Sequence, residues 1–135
     1  MPLTACPLNS LTDLVIGASI RVHQEFGPGQ LESAYESCVA FELLSADLTL
    51  ERQKPFPLCY RGTVLEKAFR VDLVINGQVV VEIKSVDRLT RVHDAQVLSY
   101  LRLTGCPIGL LFNFNVKHLM QDGFRRLVYN LRESA

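Results

Sequence analysis

The sequence predicts an α/β fold in which helices flank a mixed β-sheet. Three observations support it: helical periodicity in the first third of the chain, β-branched runs around Asn76-Gly77, and a later apolar run preceded by an amphipathic segment. A parallel strand that follows a helix must arrive by a crossover, so such a segment before the apolar run indicates a mixed sheet. The predicted order of elements is α-α-β-β-β-α-β-β.

The first helix is predicted from the spacing of its apolar residues, which recur at three- and four-residue steps between Leu11 and Phe26. Asn9 or Ser10 can cap its start, and Gly27-Pro28-Gly29 ends it. These signals predict one amphipathic helix near the start of the chain.

Two further helices are predicted by the same criteria. The second runs from about residue 30 to 46. Thr90 can cap the third, over 91–103, which Gly105-Cys106-Pro107 ends. The third helix therefore lies between the central hairpin and the apolar run.

Strands are predicted where β-branched and aromatic residues cluster between turn signals. The predicted strands cover 49–54, 57–60, 69–75, 78–84, 108–114 and 124–129. Their turns fall at Arg61-Gly62, Asn76-Gly77 and Asp122-Gly123. The run 108–114 is nearly all apolar, as expected of a strand covered on both faces.

The register of the central hairpin decides whether its acids can meet. A strict two-residue loop at Asn76-Gly77 would place Asp72 and Glu82 on opposite faces. An odd loop, with Val74 opposite Gln78, places both acids on one face. The residues gathered on that face are then Asp72, Val80, Glu82 and Lys84, and those on the other are Phe69, Val71, Leu73, Ile75, Val79, Val81 and Ile83. Burial of this apolar row favours the odd loop.

Length and composition indicate one ordinary globular domain over residues 1–135. Of the 135 residues 48% are hydrophobic and 21% are charged, which is enough to build one core. Lys plus Arg and Asp plus Glu number 14 each, so the overall charge gives no support for strong nonspecific attraction to nucleic acid. A local basic cluster does surround the hairpin, formed by Arg61, Lys67, Arg70, Lys84, Arg88 and Arg91.

The cysteines and the N-terminal segment bear on the compartment. Cys6, Cys38, Cys59 and Cys106 contain no CxxC pair, which favours buried thiols in a reducing compartment over a zinc site. The first residues lack a basic signal-peptide start, and no apolar run reaches 18 residues. We expect a soluble cytoplasmic protein that does not bind membranes.

The candidate catalytic residues are Asp72, Glu82 and Lys84. Two carboxylates with no His or Cys beside them suit Mg²⁺ or Mn²⁺, which prefer oxygen ligands, and the carbonyl of Ile83 can add another oxygen. Lys84 would then hydrogen-bond an attacking water or a phosphate oxygen. The competing interpretation is a half-exposed sheet with solvated charges. The apolar run 108–114 favours the site, because buried acids need pairing or a metal.

These residues resemble a known family. Asp72 and Glu82-Ile83-Lys84, in this order of elements, are similar to the PD-(D/E)XK nuclease superfamily, which implies a restriction-endonuclease-like core. The segment 29–35 resembles the GxxExxY motif that names one RecB-like family, and the resemblance covers about residues 22–128. Further similar stretches are 51–53, 93–101 and 113–116. Val71 stands where the superfamily name has proline.

The resemblance implies roles for individual residues. It implies that Asp72 and Glu82 bind metal, that Lys84 is catalytic, and that Glu32 can complete the metal shell. Gln96 and Tyr100 match a QxxxY motif that implies contacts orienting nucleic acid or the catalytic strand. Tyr35 and His93 are expected in supporting positions.

Purely structural roles stay open for several of these residues. Glu32 also suits a helix N-terminus, Tyr35 the core, Gln96 backbone contacts beside the sheet, and Tyr100 either core or substrate contact. His93 lies one turn before Gln96 and can face the site.

The functional hypothesis is a Mg²⁺-dependent nuclease that hydrolyses phosphodiester bonds of DNA, with RNA as the less favoured substrate. A single site cuts one strand, so cutting duplex requires a homodimer or repeated encounters. The alternative is a catalytically silent nucleic-acid-binding or protein-interaction module on the same scaffold, and a third is a subunit of a larger assembly.

Overall fold

A five-stranded mixed sheet lies at the centre of the computed structural model, which describes residues 7–129. The helices are α1 (Leu8–Phe26), α2 (Glu32–Ser45), α3 (Arg91–Thr104) and the short α4 (Leu119–Asp122). The strands are β1 (Leu50–Tyr60), β2 (Thr63–Ile75), β3 (Val79–Lys84), β4 (Ile108–Asn113) and β5 (Phe124–Val128). They lie side by side in chain order. Among the described residues only β3 and β4 pair in parallel, and α3 forms the crossover between them.

Helices cover both faces of this sheet. The α1 and α2 helices pack on the face that carries Leu73, Val81 and Phe112. The α3 helix packs on the other face, against Val80 and Leu111. The predicted α/β fold with a mixed sheet flanked by helices is therefore confirmed, and its architecture is restriction-endonuclease-like. Every residue of β4 is buried, as its apolar sequence predicted.

The helices differ from the predicted ones chiefly at the starts of α1 and α2 and in the presence of α4. The predicted cap at Asn9 or Ser10 is wrong, because α1 already begins at Leu8 and Pro7 occupies the cap position. The α2 helix begins at Glu32 rather than near Gln30, since Leu31 still has an extended backbone. The α4 helix was not predicted, because four residues are too few to show periodicity.

The predicted strands 49–54 and 57–60 form one continuous strand, β1. Pro55 and Pro57 had marked a break between them. Proline is tolerated in β1 because the strand lies at the edge of the sheet, where one row of backbone groups has no neighbour. Arg61 and Gly62 form the predicted two-residue turn, and both have positive φ.

The central hairpin has the predicted odd loop, one residue further along. Ile75 pairs with Val79 and Val74 with Val80, so Asn76-Gly77-Gln78 is the loop and Val74 does not face Gln78. Asn76 accepts hydrogen bonds through Oδ1 from the amide and hydroxyl of Thr49, which fixes its left-handed conformation. A shift of two residues in the pairing preserves the predicted faces, so Leu73 and Ile83 still point into one core.

Phe69 and Val71 were predicted on the same face as Leu73, and this is wrong. Both pack with Tyr100 on the α3 side of the sheet. The alternation changes where Gln53, opposite Asp72, takes a left-handed backbone with φ 51°. This local distortion places both Phe69 and Asp72 at the same cleft.

The cysteines are buried to different degrees. Cys106 is buried and Cys38 is half-buried, whereas Cys59 is exposed in β1, against the prediction of buried thiols; all three are free. Cys6 lies outside the described residues. No helix among residues 7–129 is long and apolar enough to cross a membrane.

Candidate active site

The candidate acids meet in an open cleft of about 550 Å³ between α2, α3 and the sheet. Asp72 comes from the last part of β2, and Glu82 comes from β3, its antiparallel neighbour. Other residues that line the cleft are Glu32, Ser33, Glu36, Gln53, Ala68, Phe69, Arg70, Gln96 and Tyr100. Lys84 reaches Glu82 with 3.2 Å between Nζ and Oε2. The fold therefore brings Asp72, Glu82 and Lys84 together.

Asp72 is held by a hydrogen bond to each carboxylate oxygen. The amide of Ile83 donates to Oδ2 at 2.9 Å, and Nε2 of Gln53 donates to Oδ1 at 3.2 Å. Burial raises the pKa of Asp72, and these two donors partly offset that rise. The orientation of the carboxylate is thus set by two neighbouring strands.

Glu82 is the cleft acid whose pKa is raised furthest. The residue is 3% exposed, and burial together with the charge of Asp72 raises its pKa to about 8. Lys84 partly offsets this rise through its contact with Oε2. Oε1 is fully buried and has no hydrogen-bond partner within residues 7–129.

The unpartnered Oε1 is the observation that tests whether a metal fits. A buried carboxylate oxygen without a donor costs free energy that a cation would recover. Carboxylate oxygens from Asp72 and Glu82 are the ligand type that Mg²⁺ and Mn²⁺ prefer, and Mg²⁺ commonly needs only one or two protein carboxylates. In the described part of the chain no group of three or more His, Cys, Asp or Glu side chains is arranged to hold a metal. The donor chemistry therefore fits a cation held by two acids and completed by other oxygens.

The sequence profile of the PD-(D/E)XK nuclease superfamily matches residues 9–127, which is most of the chain. The chain belongs to the PD-(D/E)XK nuclease superfamily. Of the residues that resemble the superfamily's signature, Asp72 and Glu82 line the cleft, and Lys84 contacts Glu82.

Comparisons with other proteins add little to this membership. No curated protein matches the chain. The crystal structure of SSO0001 is similar, with a TM-score of 0.49 and 20% sequence identity, and the match covers 92% of this chain and 68% of that one.

In this superfamily member, the segment 29–35 joins α2 to the end of β3. Tyr35 is fully buried, donates its hydroxyl to the carbonyl of Gly27 at 2.5 Å and accepts from the amide of Gln30 at 3.1 Å. It also stacks on Phe114. Tyr35 is therefore a core residue that fixes the loop before α2, and it does not line the cleft.

Glu32 lies at the cleft but already has a partner. Its Oε2 accepts from the amide of Ser85 at 3.0 Å, and the hydroxyl of Ser85 donates to the carbonyl of Gln30. These bonds attach the start of α2 to the residue after Lys84. Glu32 thus positions the end of β3 in this structure.

Gln96 and Tyr100 form the wall of the cleft that α3 contributes. Nε2 of Gln96 donates to the Tyr100 hydroxyl at 3.0 Å. Burial and the charge of Glu82 raise the pKa of Tyr100, so its hydroxyl stays protonated. His93 is placed elsewhere: its Nδ1 accepts from the amide of Thr90 and caps α3, and the ring does not line the cleft.

Glu36 and Gln53 also line the cleft; the sequence pointed to Gln53 only as part of the stretch 51–53 and did not point to Glu36. Nε2 of Gln53 donates to Oε1 of the buried Glu36 at 2.6 Å as well as to Asp72, so it bridges two acids. Burial and the charge of Asp72 raise the pKa of Glu36, although Arg52 also contacts it. The available signal was the spacing of Glu32 and Glu36, four apart on one helix face.

Proposed function

We propose that this chain is a Mg²⁺- or Mn²⁺-dependent nuclease that hydrolyses phosphodiester bonds of DNA in preference to RNA, and that it belongs to the GxxExxY group. The observation that carries the proposal is the buried, unpartnered Oε1 of Glu82 beside Asp72 and Lys84. A polar, open cleft with perturbed acids is the setting expected of hydrolysis rather than of structural ion pairing.

The residues of the cleft divide the work of hydrolysis. Asp72 and Glu82 would hold the cation, with the carbonyl of Ile83 and the carboxylate of Glu32 as further oxygen donors. A bound cation would make its coordinated water more acidic and would stabilise the charge that develops on the phosphate. Lys84 donates a hydrogen bond to the attacking water or to a phosphate oxygen. Gln96 and Tyr100 present hydrogen-bonding groups to the substrate from the opposite wall.

A silent binding module on the same scaffold is the second candidate. Glu32 is already bonded to Ser85, and the described residues contain no cluster of three acids arranged for a metal. These observations fit a scaffold that retains the cleft without turnover. Such a module, whether it binds nucleic acid or a larger protein assembly, has no need of a cation at Asp72.

Calorimetry with Mg²⁺ or Mn²⁺ separates the two candidates. We expect the unmodified protein to bind the ion and Asp72→Asn to bind it at least about tenfold more weakly, because a metal ligand loses its charge. Asp87→Asn is the matched control, since Asp87 is exposed and outside the cleft. Equal binding by all three proteins, or none by the unmodified protein, would favour the silent module.

Gln53 supplies a second prediction, about positioning. Gln53→Gly removes the amide that orients Asp72, whereas glycine relieves the strain of the positive φ, so we expect kcat to fall about 10- to 100-fold with a smaller loss of stability than in Gln53→Ala. Gln53→Ala should lose as much activity and be less stable than Gln53→Gly by about 1 kcal/mol, because alanine keeps the backbone strain that glycine relieves. The measurements are kcat, metal affinity and thermal unfolding. Full kcat in Gln53→Gly would mean that the amide only supports the fold.

A further inference from the structure

We infer that the outer part of the β1–β2 hairpin is a nucleic-acid-binding arm that guides a strand into the cleft. The arm is defined as residues 54–71, which precede the part of β2 that pairs with β3. The inference rests on the proposed function, because it names the surface that binds the substrate of the same site.

Charge on the arm contrasts with charge on the whole chain. The chain has equal numbers of acidic and basic residues, yet the arm carries four basic residues, Lys54, Arg61, Lys67 and Arg70, against the single acid Glu66. An excess of basic residues of this kind is expected on a surface that binds a phosphate backbone.

Lys67 and Arg70 are the cations available for a ligand. Lys54 is paired with Glu51 at 2.6 Å, whereas within residues 7–129 neither Lys67 nor Arg70 forms a salt bridge with a carboxylate. Both are exposed. Their charges are therefore not neutralised by neighbours on the protein.

A bulge places Lys67 on this surface. The β1–β2 register shifts between Phe56 and Leu58, so residues 66–68 lie opposite Pro57 alone. Pro57 has no amide to donate, which removes one ladder bond at this point. Lys67 has a left-handed backbone with φ 60°, which is unfavourable for a side chain with a Cβ and marks a specific local requirement. Bulges of this kind redirect side chains at sheet edges.

The surface is continuous with the candidate active site. A second open cavity, of about 530 Å³, includes Lys67 among its lining residues and shares Gln53, Phe69 and Arg70 with the cleft that holds Asp72. A strand lying along Lys67 and Arg70 would therefore run directly to the acids. Phosphates bound there would place the next phosphodiester near Glu82 without crossing protein.

The tip of the arm supports the same occupant. The guanidinium of Arg61 lies over the ring of Tyr60, 5.4 Å from its centroid, and Tyr60 is exposed. Aromatic rings beside cations provide stacking surfaces for bases and charge for the backbone. Exposed Leu58 and Val64 would also suit a second copy of the chain, which the experiment must separate.

The test is binding of a 5′-fluorescein-labelled 20-nucleotide single-stranded DNA, measured by fluorescence anisotropy in EDTA over a range of salt. The test variant is Lys67→Gly with Arg70→Ala, where glycine suits the positive φ. The control variant is Arg102→Ala with Lys117→Ala, which removes the same charge from exposed positions outside both cavities. Thermal unfolding of each protein checks the fold.

We expect the test variant to bind about tenfold or more weakly and the control variant to bind normally. Loss of two phosphate contacts should also reduce the slope of log affinity against log salt by about 1.4. Equal affinities of the two variants, or no binding by the unmodified protein, would overturn the arm. Salt-insensitive dimerisation that depends on Leu58 or Val64, without DNA binding, would overturn it in favour of a second copy.

Hydrolysis of bis(p-nitrophenyl) phosphate separates this inference from the proposed function. The small diester does not reach Lys67, which lies outside the cleft that holds Asp72, so Lys67→Gly alone should hydrolyse it at the rate of the unmodified protein. If no protein hydrolyses it or the DNA, the nuclease proposal fails while the binding comparison still decides the arm. If Lys67→Gly loses hydrolysis of the small diester as well, Lys67 acts in the cleft and the arm assignment is wrong.

Discussion

Cleavage of a labelled oligonucleotide in Mg²⁺ is expected to fall about 10³-fold or more when Lys84 is replaced by alanine. The ammonium of Lys84 lies 3.2 Å from Oε2 of Glu82, so its loss removes both a hydrogen-bond donor at the site and the positive charge beside two acids. Asp72→Ala should lose cleavage to a similar extent, because it removes a proposed metal ligand that Ile83 and Gln53 hold in place at the cleft.

Two controls make the cleavage result specific. Lys117→Ala removes an exposed lysine outside the cleft and should cleave normally. Lys84→Arg keeps the charge but changes the shape of the donor, so partial activity is expected. Full cleavage by rigorously purified Lys84→Ala and Asp72→Ala would reject the nuclease assignment, provided that both proteins unfold at temperatures near that of the unmodified protein.

Stability in the absence of metal is expected to fall as pH rises from about 5 to 8, and Glu82→Gln should remove most of this dependence. The pKa of Glu82 is raised from 4.5 to about 8 in the fold, so the folded state binds the proton more tightly than the unfolded state. Stability is therefore greatest below the unfolded pKa and is lost as pH rises through the folded pKa.

At pH 8 we expect Glu82→Gln to be more stable than the unmodified protein by roughly 2–4 kcal/mol, because glutamine needs no charge in a buried site. Thermal and urea unfolding in EDTA between pH 5 and 8 measure this difference. Glu66→Gln, at an exposed position, should follow the unmodified curve. A Glu82→Gln variant that loses stability at pH 8 would show that the Lys84 contact outweighs the cost of burying the acid.

The sequence predicted the fold and the meeting of the acids because both depend on regular patterns. A one-residue slip in the pairing of β2 with β3 would turn one set of apolar side chains out of the core. Burial of both Leu73 and Val81 therefore requires an odd loop, whatever the type of turn. The crossover by α3 follows from an amphipathic segment between two apolar strands.

Irregular backbone explains what the sequence did not predict. The residue type of Gln53 does not predict its positive φ. The change of alternation at this position leaves Phe69 on the α3 side, and the Gln53 side chain bonds to both Glu36 and Asp72. The position of His93 was not predicted either, because its ring accepts a hydrogen bond from the amide of Thr90 and caps α3 instead of facing the cleft. Such local structures depend on contacts that the periodicity of a single sequence does not contain.

Because Asp72, Glu82 and Lys84 all come from one hairpin, the charged part of the candidate site is built from residues close together along the chain. Its enclosure is built from distant ones, with Glu32 and Glu36 reaching in from α2 and Gln96 and Tyr100 from α3. Substitutions in α2 or α3 can therefore change the walls of the cleft while the hairpin that carries the three charged groups stays the same.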